Sequence, residues 1–286
     1  MAMIVVVGVL CSVGLAGGPL GPPMSVLDHG EWGFDAAYFY EEMDLWGCAT
    51  WQFRDRVYGE GWGPWSPWSA APDKFKLQDF QTNTWLGSVE YGLCDDWDVY
   101  ARVGASDAEA DVYWWGSSEK ESADFDYGPA WQVGTNFTIC QSGLWTFGGR
   151  LQVGAAYPDD WDFSYYELAE PYEYFGRGTA ELDYWQGVAY VGAACQVNDA
   201  ALLYFGGGWQ TLQGSFDWEY TETEYDTGME TYQYEERTSG KVKHNSAIGV
   251  VGASWAPSDT TKVGVEFLFG EAGKWGLGVT ASLALP

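Results

Sequence analysis

Six charged residues share one parity of alternating segments: Glu90, Asp98, Arg102, Arg150, Lys262 and Glu266, interleaved with Gln132, Asn136, Gln152 and Gln186. Three acids and three bases on a common face can do one of two things. They can line water and act on passing ions, or they can pair with one another and plug a narrow space. Material for catalysis is thinner. A hydrolytic site needs a base held beside a nucleophile or an activated water, and the chain has only two histidines, His29 ahead of the first strand and His244 expected at the top of a strand beside acidic residues. No enzyme is expected. The runs Asp95-Asp96-x-Asp98 and Asp159-Asp160-x-Asp162 lack the spacing of a calcium loop and read as solvated acid. Gly206-Gly207-Gly208 lies inside a strand pattern with no helix after it, so it is no phosphate loop. Neither a metal nor a cofactor is expected.

The segments that carry these residues alternate with period two. Trp85, Gly87, Val89, Tyr91 and Leu93 alternate with Leu86, Ser88, Glu90 and Gly92; Cys94-Asp95-Asp96 turns the chain, which returns as Trp97, Val99, Ala101 and Val103. The design recurs around the turns at Gln141-Ser142-Gly143, Val197-Asn198-Asp199 and Pro257-Ser258-Asp259. Tryptophans stand at two levels. Trp85, Trp131, Trp185 and Trp209 lie far from these turns, Trp97, Trp145 and Trp255 lie beside them, and Trp275 opens the last segment. Strands of about 9–11 residues between two aromatic girdles are the pattern of a transmembrane barrel. A soluble barrel or sandwich alternates too, but turns its apolar face inward. On the membrane reading the six charges must face the lumen, because a mid-bilayer Arg or Lys facing lipid costs about 2–4 kcal/mol.

The expected fold is therefore all-β: a single closed antiparallel transmembrane barrel of about ten strands, within a range of roughly eight to twelve. The strands are expected over about 32–42, 80–93, 97–106, 128–140, 144–156, 184–196, 200–214, 245–255, 261–270 and 275–285. Residues 43–79 are expected to form the first outer loop or to hide a further hairpin. Closure and an even count follow because an open sheet edge cannot face lipid. Inward glycines (Gly134, Gly148, Gly154, Gly264, Gly276, Gly278) leave space and favour some lumen.

Composition narrows the partners. The 286 residues carry 13 Lys plus Arg against 41 Asp plus Glu, a formal charge of −28. Without a basic stripe to neutralise phosphates, no nucleic-acid partner is expected. Residues 107–127, 157–184 and 215–243 hold 23 of the 41 acids and five basic residues. They are expected to be long acidic outer loops, opposite short turns on the periplasmic side. Their aromatics, Trp114, Trp115, Tyr165, Tyr166, Trp218 and Tyr220, are candidates for contact with a partner.

Met3 to Leu20 is apolar and ends in Gly-Gly-Pro-Leu-Gly-Pro-Pro, so residues 1–23 are expected to be a signal peptide and leader, cleaved after Ala16, with residues 24–286 the barrel. Export through that signal to the cell outer membrane is the expected localisation. Cys11 leaves with the signal. Cys94, Cys140 and Cys195 sit beside short turns at one inner level, where an oxidising periplasm makes them disulfide candidates. Adjacent turns lie two strands apart, about 9–10 Å, beyond the roughly 7 Å reach of a disulfide. Free thiols or bonds to other envelope proteins are expected instead.

The hairpins resemble the chlamydial major outer membrane porins. The resemblance runs through Asn83-Thr84-Trp85 to Trp97-Asp98-Val99-Tyr100-Ala101-Arg102-Val103-Gly104-Ala105-Ser106, Ala130-Trp131-Gln132-Val133-Gly134 to Phe147-Gly148, Trp185-Gln186 to Gly214-Ser215-Phe216-Asp217, and the final pair from Gly249 to Phe267. It implies an abundant surface barrel acting as a general diffusion porin for small hydrophilic solutes or ions, trimeric, and disulfide-linked to envelope proteins. Acidic outer segments would concentrate cations at the mouth. The expected function is a passive porin-like channel in outer-membrane lipid with cation preference. The alternative is a structural or surface-binding barrel with a plugged lumen.

Overall fold

The computed structural model describes residues 20–58, 61–114, 120–226, 229–258, 260–271 and 273–285. The expected signal segment, Cys11, Trp115 and Asp259 of the last turn lie outside these residues. Eleven strands follow in order: β1 (Trp32–Val57), β2 (Ser69–Cys94), β3 (Trp97–Trp114), β4 (Glu121–Ser142), β5 (Trp145–Ala156), β6 (Trp161–Ala169), β7 (Tyr172–Asn198), β8 (Ala201–Asp226), β9 (Met229–Trp255), β10 (Thr261–Gly270) and β11 (Trp275–Leu285).

All pairings are antiparallel. Neighbours run β5-β4-β3-β2-β1-β11-β10-β9-β8-β7-β6, and an additional β5–β7 ladder closes the ring. With β6 set aside, ten strands form that ring. The expected all-β closed barrel is what the backbone hydrogen bonds build, and each expected strand lies within, or within a residue of, one of these longer ones.

Strand length departs from expectation. β1, β2 and β8 have 26 residues and β7 and β9 have 27, against about 9–11 needed to cross a bilayer. Most of the described residues in the acidic segments read as outer loops are therefore in strands. Residues 107–114 extend β3, 121–127 extend β4, 161–184 form β6 and the start of β7, and 215–243 pair between β8 and β9. Residues 43–57 and 69–79 likewise extend β1 and β2, with neither a loop nor a hidden hairpin between residues 43 and 57. The reason is local. Segments such as Tyr220-Thr221-Glu222-Thr223-Glu224-Tyr225 and Thr231-Tyr232-Gln233-Tyr234 are rich in β-branched and aromatic residues, and acid on one face is no obstacle to pairing in water.

The circumference changes with height. β1 pairs with β11 up to Glu42, shifts register between Met43 and Leu45, and then pairs with β9 from Trp46↔Lys243 to Val57↔Tyr232. β10 and β11 end at that junction. β5 ends there too, and β6 follows its line beside β4, with Tyr157 and Asp159 N–H donating to the Pro129 and Asp126 carbonyls. The ten-stranded ring thus passes into an outer wall of eight strands, β1, β2, β3, β4, β6, β7, β8 and β9, in which β6 is laddered to β7 and no ladder among the described residues joins it to β4. Eight strands enclose only room for side chains.

Candidate functional site: the lumen

The two faces of the lower barrel are inverted relative to a soluble protein. Phe34, Val89, Val103, Val133, Val191, Phe205, Val251, Val265, Phe267 and Val279 all point out and are exposed. Glu90, Asp98, Arg102, Gln132, Asn136, Arg150, Gln152, Gln186 and Glu266 point in, at 9% exposure or less. The girdle tryptophans point out in two tiers. Trp97 stands opposite Phe137, Trp145 opposite Cys195 and Trp255 opposite Ala201 near the short turns. Trp85 stands opposite Tyr38, Trp131 opposite Ala155, Trp185 opposite Gln213, Trp209 opposite Ala247 and Trp275 opposite Phe269 at the other tier.

The inward charges bond largely to one another. Arg102 lies 3.3 Å from Asp35 and 3.7 Å from Glu90, and donates to Gln132 Oε1 at 3.0 Å. The Tyr100 ring is sandwiched by Arg102 at 4.6 Å and Arg150 at 4.5 Å, while its hydroxyl donates to Gln152 Oε1 at 2.7 Å. Asp98 accepts from Asn136 Nδ2 at 2.6 Å. The pairing that the residue pattern allowed is thus present, and the same charges also border free space. Lys262 makes no such pair among the described residues; with Asp35, Glu90, Arg102 and Arg150 it lines a cavity of about 450 Å³ at the turn end.

Three features were not legible in the residue pattern. The first is a strap, residues 20–31, that enters the lumen from the turn end. Leu20 and Gly21 N–H donate to the two carboxylate oxygens of Glu266 at 2.6 and 2.7 Å, and Val26 N–H donates to Asp98 at 2.8 Å. Leu20 is fully buried. Leu20 to Pro23, the end of the expected leader, lie in the barrel interior. Gly92 and Gly148 make room for the strap, since a Cβ at either would meet the Asp28 carbonyl at 2.0 Å or the Pro23 carbonyl at 2.4 Å.

The second feature is the filling of the space that inward glycines leave. Tyr100 lies over Gly134, Tyr190 over Gly206 and Tyr204 over Gly252, each ring within 2.4 Å of where a Cβ would stand. Glycine here receives a ring from the next strand instead of opening a channel. The third is a buried cluster at the junction. Lys274 Nζ, fully buried, lies 2.5 Å from Glu41, which also accepts from Gln186 and Gln210 at 2.9 Å each.

Above this junction the inside is apolar. Met43, Leu45, Phe75, Leu77, Phe80, Val112, Phe125, Leu182, Tyr184, Leu212, Phe216 and Trp218 form one packed cluster, none exposed by more than 4%. The described aromatics expected on loops, Trp114, Tyr165, Tyr166, Trp218 and Tyr220, prove to be strand residues. Trp114 packs on Phe75, Phe216 and Trp218, and Tyr220 stacks between Phe163 and Tyr165. Tyr166 is 62% exposed and faces outward.

His244 is not at an outer rim. It points into the junction, 8% exposed, with Nδ1 3.0 Å from the Asp44 carbonyl oxygen. Neither acidic run gathers ligands, because Asp98 turns inward to Asn136 and the strap. Among the described residues no group of three or more His, Cys, Asp or Glu is arranged to hold a metal. Cys48, Cys94, Cys140 and Cys195 are free thiols. The last three stand beside the lower tryptophan tier, at Trp97, Phe147 and Trp145.

No protein-family profile and no curated protein matches this chain. Similar solved structures include the Ail attachment invasion locus protein of Yersinia pestis, at 10% identity over 90% of this chain and 99% of that one, TM-score 0.30. The outer membrane protease OmpT of Escherichia coli is 11% identical over 86% of this chain and 96% of that one, TM-score 0.33. An outer membrane channel of Pseudomonas putida F1 is 11% identical over 94% and 100%, TM-score 0.36. Similarity at this level transfers no activity, and the fold rests on the strand pairing described above.

Proposed function

We propose that this protein is a non-enzymatic outer-membrane barrel whose lumen is closed, acting through the tall outer part of its wall as a surface-binding or structural element. Membrane placement is supported by the inversion of faces: apolar residues between two tryptophan tiers outside, paired charges inside. On β1 the tiers run from Trp32 to Tyr40, nine residues. At about 3.3 Å per residue and about 45° of tilt the eight steps between them rise about 19 Å, most of the roughly 25 Å apolar band of such barrels.

The single observation that carries the closed reading is that the interior is occupied at both heights, by the strap and paired charges below and by a packed apolar core above. The strap alone is a removable stopper; the core is part of the wall. The diffusion-channel reading, which the hairpin resemblance to chlamydial porins favours, keeps one specific support, the 450 Å³ cavity beside Lys262 that opens at the turn end.

Planar-bilayer recording separates the two. The full protein is expected to give no conductance steps, and a variant lacking residues 20–31 is expected to stay closed because the outer core remains. Regular steps from the full protein, with a cation-selective reversal potential in a salt gradient, would overturn the closed reading in favour of the channel.

A further inference from the structure

Basic residues are scarce in this chain, 13 against 41 acids, yet four of them meet on one outward patch. Trp46 and Cys48 are consecutive outward positions of β1. Trp46 is flanked by Lys76 of β2 and Lys243 of β9, and Cys48 by Lys74 and Lys241 of the same strands. Residues directly opposite in a ladder stand about 4.5–5.5 Å apart, so the four lysines frame a single strand. Lys76 reaches over the Trp46 ring at 5.5 Å and pairs with Asp44 at 2.7 Å. Lys241 and Lys243 are exposed, and their outward neighbours on β8, Ser215 and Gln213, are neutral.

The patch forms one end of a groove of about 810 Å³ on the outer surface, lined by Trp46, Lys241, Lys243, Gln213 and Trp185, with Asp183 on its far side. Its floor follows one register line: Trp185 opposite Gln213, Gln213 opposite Lys243, Lys243 opposite Trp46. Trp185 belongs to the tryptophan tier, and below it the outward face of β7, β8 and β9 is apolar at Val191, Phe205, Trp209 and Val251. Lys243 and Lys241 lie four and six residues beyond Ala247, the partner of Trp209. At about 3.3 Å per residue and about 40° of tilt this is about 10 and 15 Å above that tier. Lysine stems lean back toward an interface.

We infer that this groove holds the headgroup of a phosphorylated glycolipid of the outer leaflet, its phosphates on Lys241 and Lys243, its sugar against Trp46 and Trp185, and its acyl chains along the apolar band of β7–β9. Charge decides the occupant. Other bases of the outer wall are partnered, Arg54 by Glu235, Lys120 by Asp111 and Arg237 by Glu219; Lys241 and Lys243 have no ion-pair partner among the described residues and stand directly above the proposed lipid-facing surface, which is the arrangement that attracts anionic headgroups. The inference rests on the membrane placement proposed above.

The test uses full-length protein in neutral detergent, titrated with bisphosphorylated diglucosamine lipid (lipid A) or its dephosphorylated form and read by native mass spectrometry. The wild type is expected to retain the phosphorylated lipid preferentially. The double variant K241Q/K243Q should lose about 10- to 30-fold in that retention, at about a factor of five per lysine near anionic lipid. It should hold the dephosphorylated form as before, and Lys120→Gln on the far wall should change nothing. Equal retention of the two lipids by the wild type, an unchanged double variant, or an equal loss in Lys120→Gln would each overturn the site while leaving membrane placement intact. A detergent-independent soluble monomer would overturn the placement, and this inference with it.

Discussion

At the scale of single residues the junction pair is the most exposed to test. Glu41 and Lys274 are buried to 2% exposure each, and Gln186 and Gln210 saturate the carboxylate. Removing one member of a buried pair leaves a charge without its partner, which costs about 3–5 kcal/mol. Glu41→Ala is therefore expected to lower the urea midpoint in detergent by far more than Glu41→Ala combined with Lys274→Met. A single variant as stable as the double one would show that the ammonium finds another partner and that the cluster does not hold the junction. Parity put Glu90, Asp98, Arg102 and Glu266 inside, because period-two alternation survives wherever a strand is regular. The same parity holds for Glu41, which alternates inward with Ala37, Phe39 and Met43, but it could not find Lys274, which belongs to a short turn with no alternation of its own. The strap was illegible for a related reason: its bonds to Glu266 and Asp98 come from backbone N–H groups, which any sequence supplies.

At the scale of elements, the outer strands carry an electrostatic load. On the outward face of β7, Glu181 stands opposite Asp217 and is held above the ordinary 4.5 of a glutamate, first by Asp160, then by partial burial, then by Asp217, Asp183 and Glu219. Asp183 is raised as well, first by burial and then by Asp217 and Asp160. Glu219 has a counter-ion in Arg237 at 3.3 Å, which leaves Glu181 without one in its immediate row. A raised acid destabilises the fold above its folded pKa, and the penalty fades as pH falls through that value toward the unfolded one. Hydrogen exchange of β6–β8 is therefore expected to slow as pH falls from 7 toward the ordinary 4.5, once the intrinsic pH dependence of exchange is removed, and Glu181→Gln should blunt the change. Asp111 moves the other way, lowered by its bond to Lys120, so its contribution is lost only below the ordinary 3.8 of an aspartate, outside that window. Protection that weakens over the same interval would show that repulsion across β7 is not what limits these strands. The short turns and the lipid-facing halves of the strands were legible because apolar alternation marks them. The outer halves were not, because acid spread over 107–127, 157–184 and 215–243 looks like loop when hydrophobicity alone is counted. Their Thr and Tyr content was the available signal.

At the scale of the whole molecule, the change from ten strands to eight explains why one chain has two interiors. Ten strands enclose more than a single column of side chains, and the surplus is taken up by the strap, the tyrosine–glycine pairs and the paired charges. Eight strands enclose less, and an aromatic and aliphatic core fills them. Inward glycine, read alone, suggests a lumen; read with the ring that covers it, glycine is what lets the barrel close. On the proposed membrane placement the outer wall stands clear of the lipid, rich in acid, with four lysines gathered at one place. The central claim is that lipid touches one parity of the lower strands and none of the other. The most direct measurement is residue-resolved mapping of adducts from a carbene-forming probe anchored in the acyl region of reconstituted vesicles. The account predicts adducts at Val103, Val133, Phe205 and Val251 and none at Tyr100, Tyr190 or Tyr204. Adducts on the tyrosine parity, or equal labelling of both, would contradict it.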